Sequence, residues 1–124
     1  MKKFIKSFSN AANGIVFLFK SQHNARIELL ITFLVIISAI LFSISVSEWI
    51  TILLCIALVL GLEGINTSIE LLSDKLHPEF DTKIGKVKDV AAGAVLLASI
   101  VAAIIGIIIF APRLMIFFYK ISLI

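Results

Sequence analysis

Hydrophobic and polar positions alternate along this chain in long blocks. Two blocks, residues 29–47 and 90–112, carry no charge at all. Each has at least 19 residues, which as helix gives about 28 Å or more and crosses a hydrocarbon core. A block after Glu48 is uncharged only through Leu62, 14 residues. It continues at helical spacing through Glu63, Asn66 and Glu70 to Asp74, so polar groups sit at or near membrane depth. Residues 1–20 follow another pattern. Phe4, Phe8, Ala11, Ile15 and Leu18 make one apolar stripe, and Lys2, Lys3, Lys6, Asn10, Asn13 and Lys20 fall mostly elsewhere. That is a basic amphipathic helix lying in a membrane interface. The run 15–19 is too short for a signal-peptide core, and no small-residue cleavage site follows it.

The expected architecture is an all-α integral membrane protein, one domain over 1–124. It has a surface helix (1–20) and spans at 27–47, 49–74 and 89–112, with a cytoplasmic loop at 75–88. The polar stretch Ser45-Val-Ser-Glu48 reads as a tight turn with Trp49 as its interfacial aromatic. Pro112 is expected to stop the third helix. Composition agrees: 60% of the 124 residues are hydrophobic and 15% charged, and mean hydropathy is +1.15. So small a soluble domain has too much surface to hide that much apolar side chain. The +3 net charge fits basic residues at an anionic membrane surface rather than a nucleic-acid partner. Nine basic residues (Lys2, Lys3, Lys6, Lys20, Arg26, Lys75, Lys83, Lys86, Lys88) fall on one side of the spans, and Arg113 and Lys120 on the other. The nine place the N-terminus in the cytoplasm of a multi-pass bacterial inner-membrane protein.

Candidate chemistry concentrates on span two. Glu63, Asn66, Glu70 and Asp74 fall within about 80° of one another on a helix, and Thr67 joins them. Two carboxylates two turns apart can divide the work of general base and metal ligand, with an amide to hold either in position. The plainer reading is a polar stripe that glues helices or leaves the membrane. Asp74 suits that reading, whereas Glu63 and Asn66 lie too deep for it. Lys88 and Asp89 could bind phosphate and metal at the same mouth, or could serve only as a snorkelling lysine and a helix-dipole carboxylate. Ala91, Ala94, Ala98 and Ala102 form a close-packing face. Cys55 reads as apolar filler, and His23 and His77 are isolated. No Walker lysine motif, Gly-x-Gly-x-x-Gly or nucleophile elbow occurs, which excludes the soluble nucleotide-binding folds.

The segment Glu63-Gly-Ile-Asn66-Thr67-Ser-Ile-Glu70-Leu-Leu-Ser-Asp74 closely resembles the signature of the small prokaryotic membrane kinases, the diacylglycerol kinase family that includes undecaprenol kinase. Lys88-Asp89-Val-Ala-Ala-Gly-Ala-Val-Leu-Leu97 is similar to the family's second motif, at matching separation. Lys6-Ser-Phe8, Ala11, Asn13-Gly14-Ile15 and Asn24-Ala-Arg26-Ile27 resemble its N-terminal half more loosely. The resemblance implies an ATP- and magnesium-dependent lipid kinase, homotrimeric, with sites shared between subunits. It implies Glu63 as the general base for a lipid hydroxyl, supported by Asn66, with Glu70 binding the magnesium that bridges ATP phosphates. Glu79, Gly85, Lys88 and Asp89 match the nucleotide site.

Two positions depart from the family pattern. A second metal glutamate is expected where Gln22 stands, and Glu28, about 120° away on a helix, is a poor substitute. Asp81 replaces a family histidine. A degenerate protein that binds lipid or nucleotide without turnover is therefore the alternative. A proton-coupled transporter using Glu63 and Glu70 is a third reading. Ala91-Ala92-Gly93-Ala94-Val95-Leu96-Leu97 and Asn24-x-Arg26 look more like the undecaprenol kinase branch.

Overall fold

A computed structural model describes residues 1–123 as four helices: α1 (Lys2–Ser21), α2 (His23–Leu41), α3 (Val46–Leu76) and α4 (Thr82–Ser122). The last three are long and apolar enough to cross a membrane. Over residues 29–41 and 90–112, α2 and α4 carry no charge on any side, as helices in lipid do. The chain is thus a multi-pass membrane protein. α1 gathers its apolar residues on one side, and only Leu18 and Phe19 near its end are half-buried.

The tightest pairing is α3 against α4, antiparallel and pinned at both ends. At one end Arg113 forks onto Glu48, Nη1 to Oε1 at 3.1 Å and Nη2 to Oε2 at 2.8 Å. At the other, Lys88 Nζ meets Asp74 Oδ1 at 2.8 Å. An apolar cluster of Ala39, Ile44, Ile52 and Ile109, with Phe42, Trp49 and Phe110 around it, packs the Glu48 end. The small-residue face of α4 is rotated from the expected one. Val95 and Ala98 are buried, Ala91 and Ala102 half-buried, and Ala94 lies at the exposed rim. α1 reaches α3 where Leu18 Cδ2 lies 3.7 Å from the position a Cβ on Gly64 would take.

Four expectations about element ends are corrected. α2 begins at His23 and stops at Leu41, six residues before 47. The turn lies at Phe42–Ile44 instead, where Ser43 takes φ 48°. Ser45-Val-Ser-Glu48 is not that turn, because it forms a capping box. Glu48 N donates to Ser45 Oγ at 3.3 Å and Ser45 N to Glu48 Oε2 at 2.8 Å, so α3 starts here. The loop expected over 75–88 shrinks to the five residues between Leu76 and Thr82. Asp81 starts α4 by accepting at Oδ1 from Lys83 N (2.9 Å) and Ile84 N (3.0 Å). Asp89 is consequently well inside α4 and does not cap its N-terminus. Finally, Pro112 lies inside α4, which runs on to Ser122. A proline removes a single hydrogen bond, and in an apolar helix the remaining backbone groups have no better partner than the helix itself.

Two neighbouring serines should respond in opposite directions. Ser43→Gly relieves a left-handed backbone strain of about 1–2 kcal/mol against a glycine entropy cost of about 0.5–1 kcal/mol and should stabilise on balance, while Ser45→Ala removes the cap and should cost about 0.5–2 kcal/mol. Thermal unfolding followed by circular dichroism checks both signs. Asp81 gives a pH-dependent counterpart. The Ile84 N–H, and then the Lys83 N–H, hold its carboxyl below the ordinary carboxylate range. Its stabilisation is therefore complete above the unfolded value of about 3.9 and is lost as pH falls through the lower folded value. The Ile84 amide proton shift should titrate with a midpoint below about 3.9, and Asp81→Asn should abolish that titration.

Candidate functional site

The polar stripe of α3 begins where its apolar half ends. Glu63 is 3% exposed, Asn66 6% and Thr67 3%, so the three deepest members face into the bundle. Glu70, one turn beyond Asn66, is half-buried. Asn66 Nδ2 donates to Glu70 Oε1 at 3.3 Å. That bond orients the amide and leaves its other end free: Asn66 Oδ1 is buried with no hydrogen-bond partner, as is Thr67 Oγ1. Buried polar atoms are nearly always paired. Two orphans beside a buried carboxylate form a small polar recess suited to a hydroxyl-bearing ligand.

α4 supplies the cationic side. Lys88 is held by Asp74 and also lies in the field of Glu70. The expected proximity of Lys88 to the Glu70 mouth is therefore present, and Asp74 acts as the residue that tethers the lysine. Asp89 is exposed on α4, Glu79 is exposed in the α3–α4 loop, and Gly85 is half-buried in the first turn of α4. A Cβ on Gly85 would meet nothing within 4 Å, so packing within the chain does not require a glycine there. Gln22 sits in the α1–α2 joint, where its Nε2 reaches Ser21 Oγ at 3.4 Å. Among the described residues no hydrogen bond joins Gln22, Glu79 or Asp89 to the α3 stripe, and no cluster of three or more acidic, His or Cys side chains is poised to hold a metal. One chain thus assembles Glu63, Asn66, Glu70 and Lys88 and leaves the other candidates apart.

One further acid carries a signal of its own: Glu28 of α2 is half-buried and its Oε2 has no hydrogen-bond partner. The readable signal was position: Glu28 is the last charge before the uncharged block of α2, at the same boundary that Glu63 marks on α3. Glu28 also stands at one end of an apolar groove of about 250 Å³ between α2, α3 and α4, which passes Val35, Ile56 and Ser99 toward Phe110. A site with acids and a lysine at its mouth and an apolar groove beside it matches an amphiphile better than a wholly water-soluble ligand.

Magnesium takes one or two carboxylates and keeps several waters or phosphate oxygens. Glu70 with the nearby Asn66 amide is too few ligands for a metal held by protein alone. It fits a cation that arrives with polyphosphate.

The family model for prokaryotic diacylglycerol kinase matches residues 9–110. The chain is 36% identical over 118 residues to undecaprenol kinase from Bacillus subtilis, covering 92% of this chain and 93% of that one. It is also 36% identical over 110 residues to a diacylglycerol kinase from Synechocystis sp., covering 88% of this chain and 63% of that longer protein. A match over most of the chain, joined to a buried Glu–Asn–Glu stripe on a membrane helix, places this protein in the prokaryotic diacylglycerol kinase family.

Proposed function

We propose that this protein transfers the γ-phosphate of ATP to the hydroxyl of a membrane lipid alcohol at the cytoplasmic surface of the bacterial inner membrane. The observation that carries the reading is Glu63, a carboxylate almost sealed from solvent on a membrane helix, one turn from the unpartnered Asn66 Oδ1. The lipid is undecaprenol in preference to diacylglycerol. The small-residue run 91–97 favours that branch, as does the near-complete two-way coverage with the undecaprenol kinase relative. α1 lies in the membrane interface, with the N-terminus cytoplasmic. Glu79, Gly85, Asp89 and Gln22 join the nucleotide site from neighbouring copies in a homotrimer, since within one chain they stay away from Glu70.

The roles follow from the geometry. Glu63 takes the proton of the lipid hydroxyl, and the Thr67 hydroxyl, which has no other partner, donates to the oxygen of that group and orients it. The apolar groove lets the hydrocarbon stay in lipid-like surroundings while the hydroxyl reaches the carboxylate. Lys88, steadied by Asp74, neutralises phosphate charge, the main task of protein groups in phosphoryl transfer. Glu70 and the amide of Gln22 would hold magnesium, which supplies charge neutralisation and alignment of the phosphates.

Gln22 favours a second reading, a family member whose turnover is crippled. An amide oxygen can ligate magnesium but adds no negative charge.

Purified protein given radiolabelled ATP, magnesium and either lipid should label undecaprenol faster than diacylglycerol. Glu63→Gln should lower the rate by about 10²–10⁴-fold with the fold intact, and wild-type turnover in that variant would sink the base assignment. The Gln22→Glu variant separates the two readings. An unchanged rate at saturating magnesium, reached at a lower metal concentration, supports an active natural enzyme. A silent wild type rescued by this one change supports the crippled one.

A further inference from the structure

The two ion pairs between α3 and α4 set their register. Glu48 stands level with Arg113 and Asp74 with Lys88, so Glu63 and Gly64 stand about level with Leu97 and Ala98. Two independent features put the boundary of the hydrocarbon there. The polar stripe of α3 starts at Glu63, and α1 meets α3 at Gly64. From that level the hairpin of α2 and α3 does not reach the far side. Glu63 to Glu48 is 15 residues, about 22 Å of helix, against about 30 Å of hydrocarbon. α4 does reach it. From Ala98, about 20 residues of helix bring it to Phe118.

The part of α4 that makes up the difference lies outside the family match, which ends at residue 110. Beyond Pro112 it presents Met115 (72% exposed), Ile116 (57%), Phe118 (64%) and Tyr119 (66%). Phe117 (51% exposed) meets Phe42 edge-on at 6.4 Å. No polar face exists between Arg113 and Lys120, so the segment is unsuited to lying flat in an interface, where one side must face water. It ends in Tyr119-Lys120, an aromatic and a snorkelling cation of the kind found where a span leaves the hydrocarbon.

We infer that α4 beyond Pro112 is a lipid-contacting extension whose partner is the acyl chains of the leaflet opposite α1, so that the Glu48–Arg113 pair and the α2–α3 turn lie below that leaflet's headgroups. The depth is about five residues of helix, some 7–8 Å. The chemistry of the pair suits such burial, because polar groups in lipid must be satisfied internally. Both Glu48 oxygens are used, by Arg113 and by Ser45 N. Arg113 Nη1 additionally donates to Ile109 O at 2.6 Å. The depth scale uses the interfacial placement of α1 proposed above; the chemistry of the site does not enter.

The test is a depth profile of the full chain in vesicles of eighteen-carbon phosphatidylcholine and phosphatidylglycerol. In a Cys55→Ala background, nitroxides are attached singly at Met115→Cys, Phe118→Cys and Val46→Cys at the hairpin tip. Leu54→Cys serves as the lipid reference and Lys83→Cys as the water reference. The ratio of oxygen collisions to collisions with a polar nickel chelate reports depth. All three labels should show the oxygen-rich ratio of Leu54→Cys. A nickel-rich ratio like that of Lys83→Cys at Met115→Cys and Phe118→Cys overturns the extension, and at Val46→Cys it overturns the submerged turn. Exclusion of both reagents with dipolar broadening would assign the surface to a second copy and overturn the lipid assignment. None of these readouts depends on kinase activity, so failure here and failure of the kinase reading are distinguishable.

Discussion

The antiparallel pairing of α3 with α4, clamped by an ion pair at each end, is the constraint on which the rest depends. Between Glu48 and Glu63 the contact of α3 with α4 is apolar, and apolar surfaces in lipid slide past one another with little change in energy. Small residues permit close approach but do not choose an alignment. The Glu48–Arg113 and Asp74–Lys88 pairs do choose one, because a shift of a single turn would leave charges unmatched in or near lipid, where an unpaired charge is costly. The register so chosen puts Lys88 at the mouth formed by Glu70. The same device that aligns the bundle therefore brings a lysine of α4 to the end of the acidic stripe.

Much of this was legible in the sequence because membrane helices are written in charge. The scarcity of charged residues located the three apolar helices, and the acids that break the pattern at Glu63 and Glu70 mark the buried polar stripe of α3. Element ends were read less well. Each is decided by a local cap that outweighs composition: Ser45 with Glu48 begins α3, and Asp81 begins α4. Both signals are present as short patterns, Ser-x-x-Glu and an Asp ahead of a helical run, yet they lie in stretches that polarity alone assigns to turns. Pro112 misled for a different reason. In water a proline near the end of a helix commonly terminates it, because exposed backbone finds water. In lipid the helix has no such alternative.

Glu28 marks the limit of single-helix geometry. Gln22 is the extended N-cap of α2 rather than a helical residue, so the helical angle that separates it from Glu28 does not apply. The place of Glu28 at the end of the apolar groove is tertiary, created when α2 folds back along α3, and no wheel drawn on one helix contains it. The same holds for Gln22, Glu79 and Asp89, which matched a family site in sequence and stay apart in a single chain. Helix faces can be read from spacing, whereas sites built from several helices, or from several copies, need the packing.

The arrangement also answers how α3, whose fourth acid Glu48 is paired with Arg113, tolerates the three carboxylates of its polar stripe. They are not spread through the hydrocarbon but gathered over the short stretch where α3 leaves it, with Glu63 deepest and Asp74 in water. In the proposed reaction a base for a lipid hydroxyl must be dry enough to meet a lipid, and a ligand for magnesium wet enough to meet ATP. A helix rises about 1.5 Å per residue, so the seven residues from Glu63 to Glu70 separate those two environments by about 10 Å, on one face and in one rigid element. Asn66, bonded to Glu70 and open toward Glu63's side, sits between them. The spacing that first appeared as a break in an apolar span is the distance over which the solvent changes.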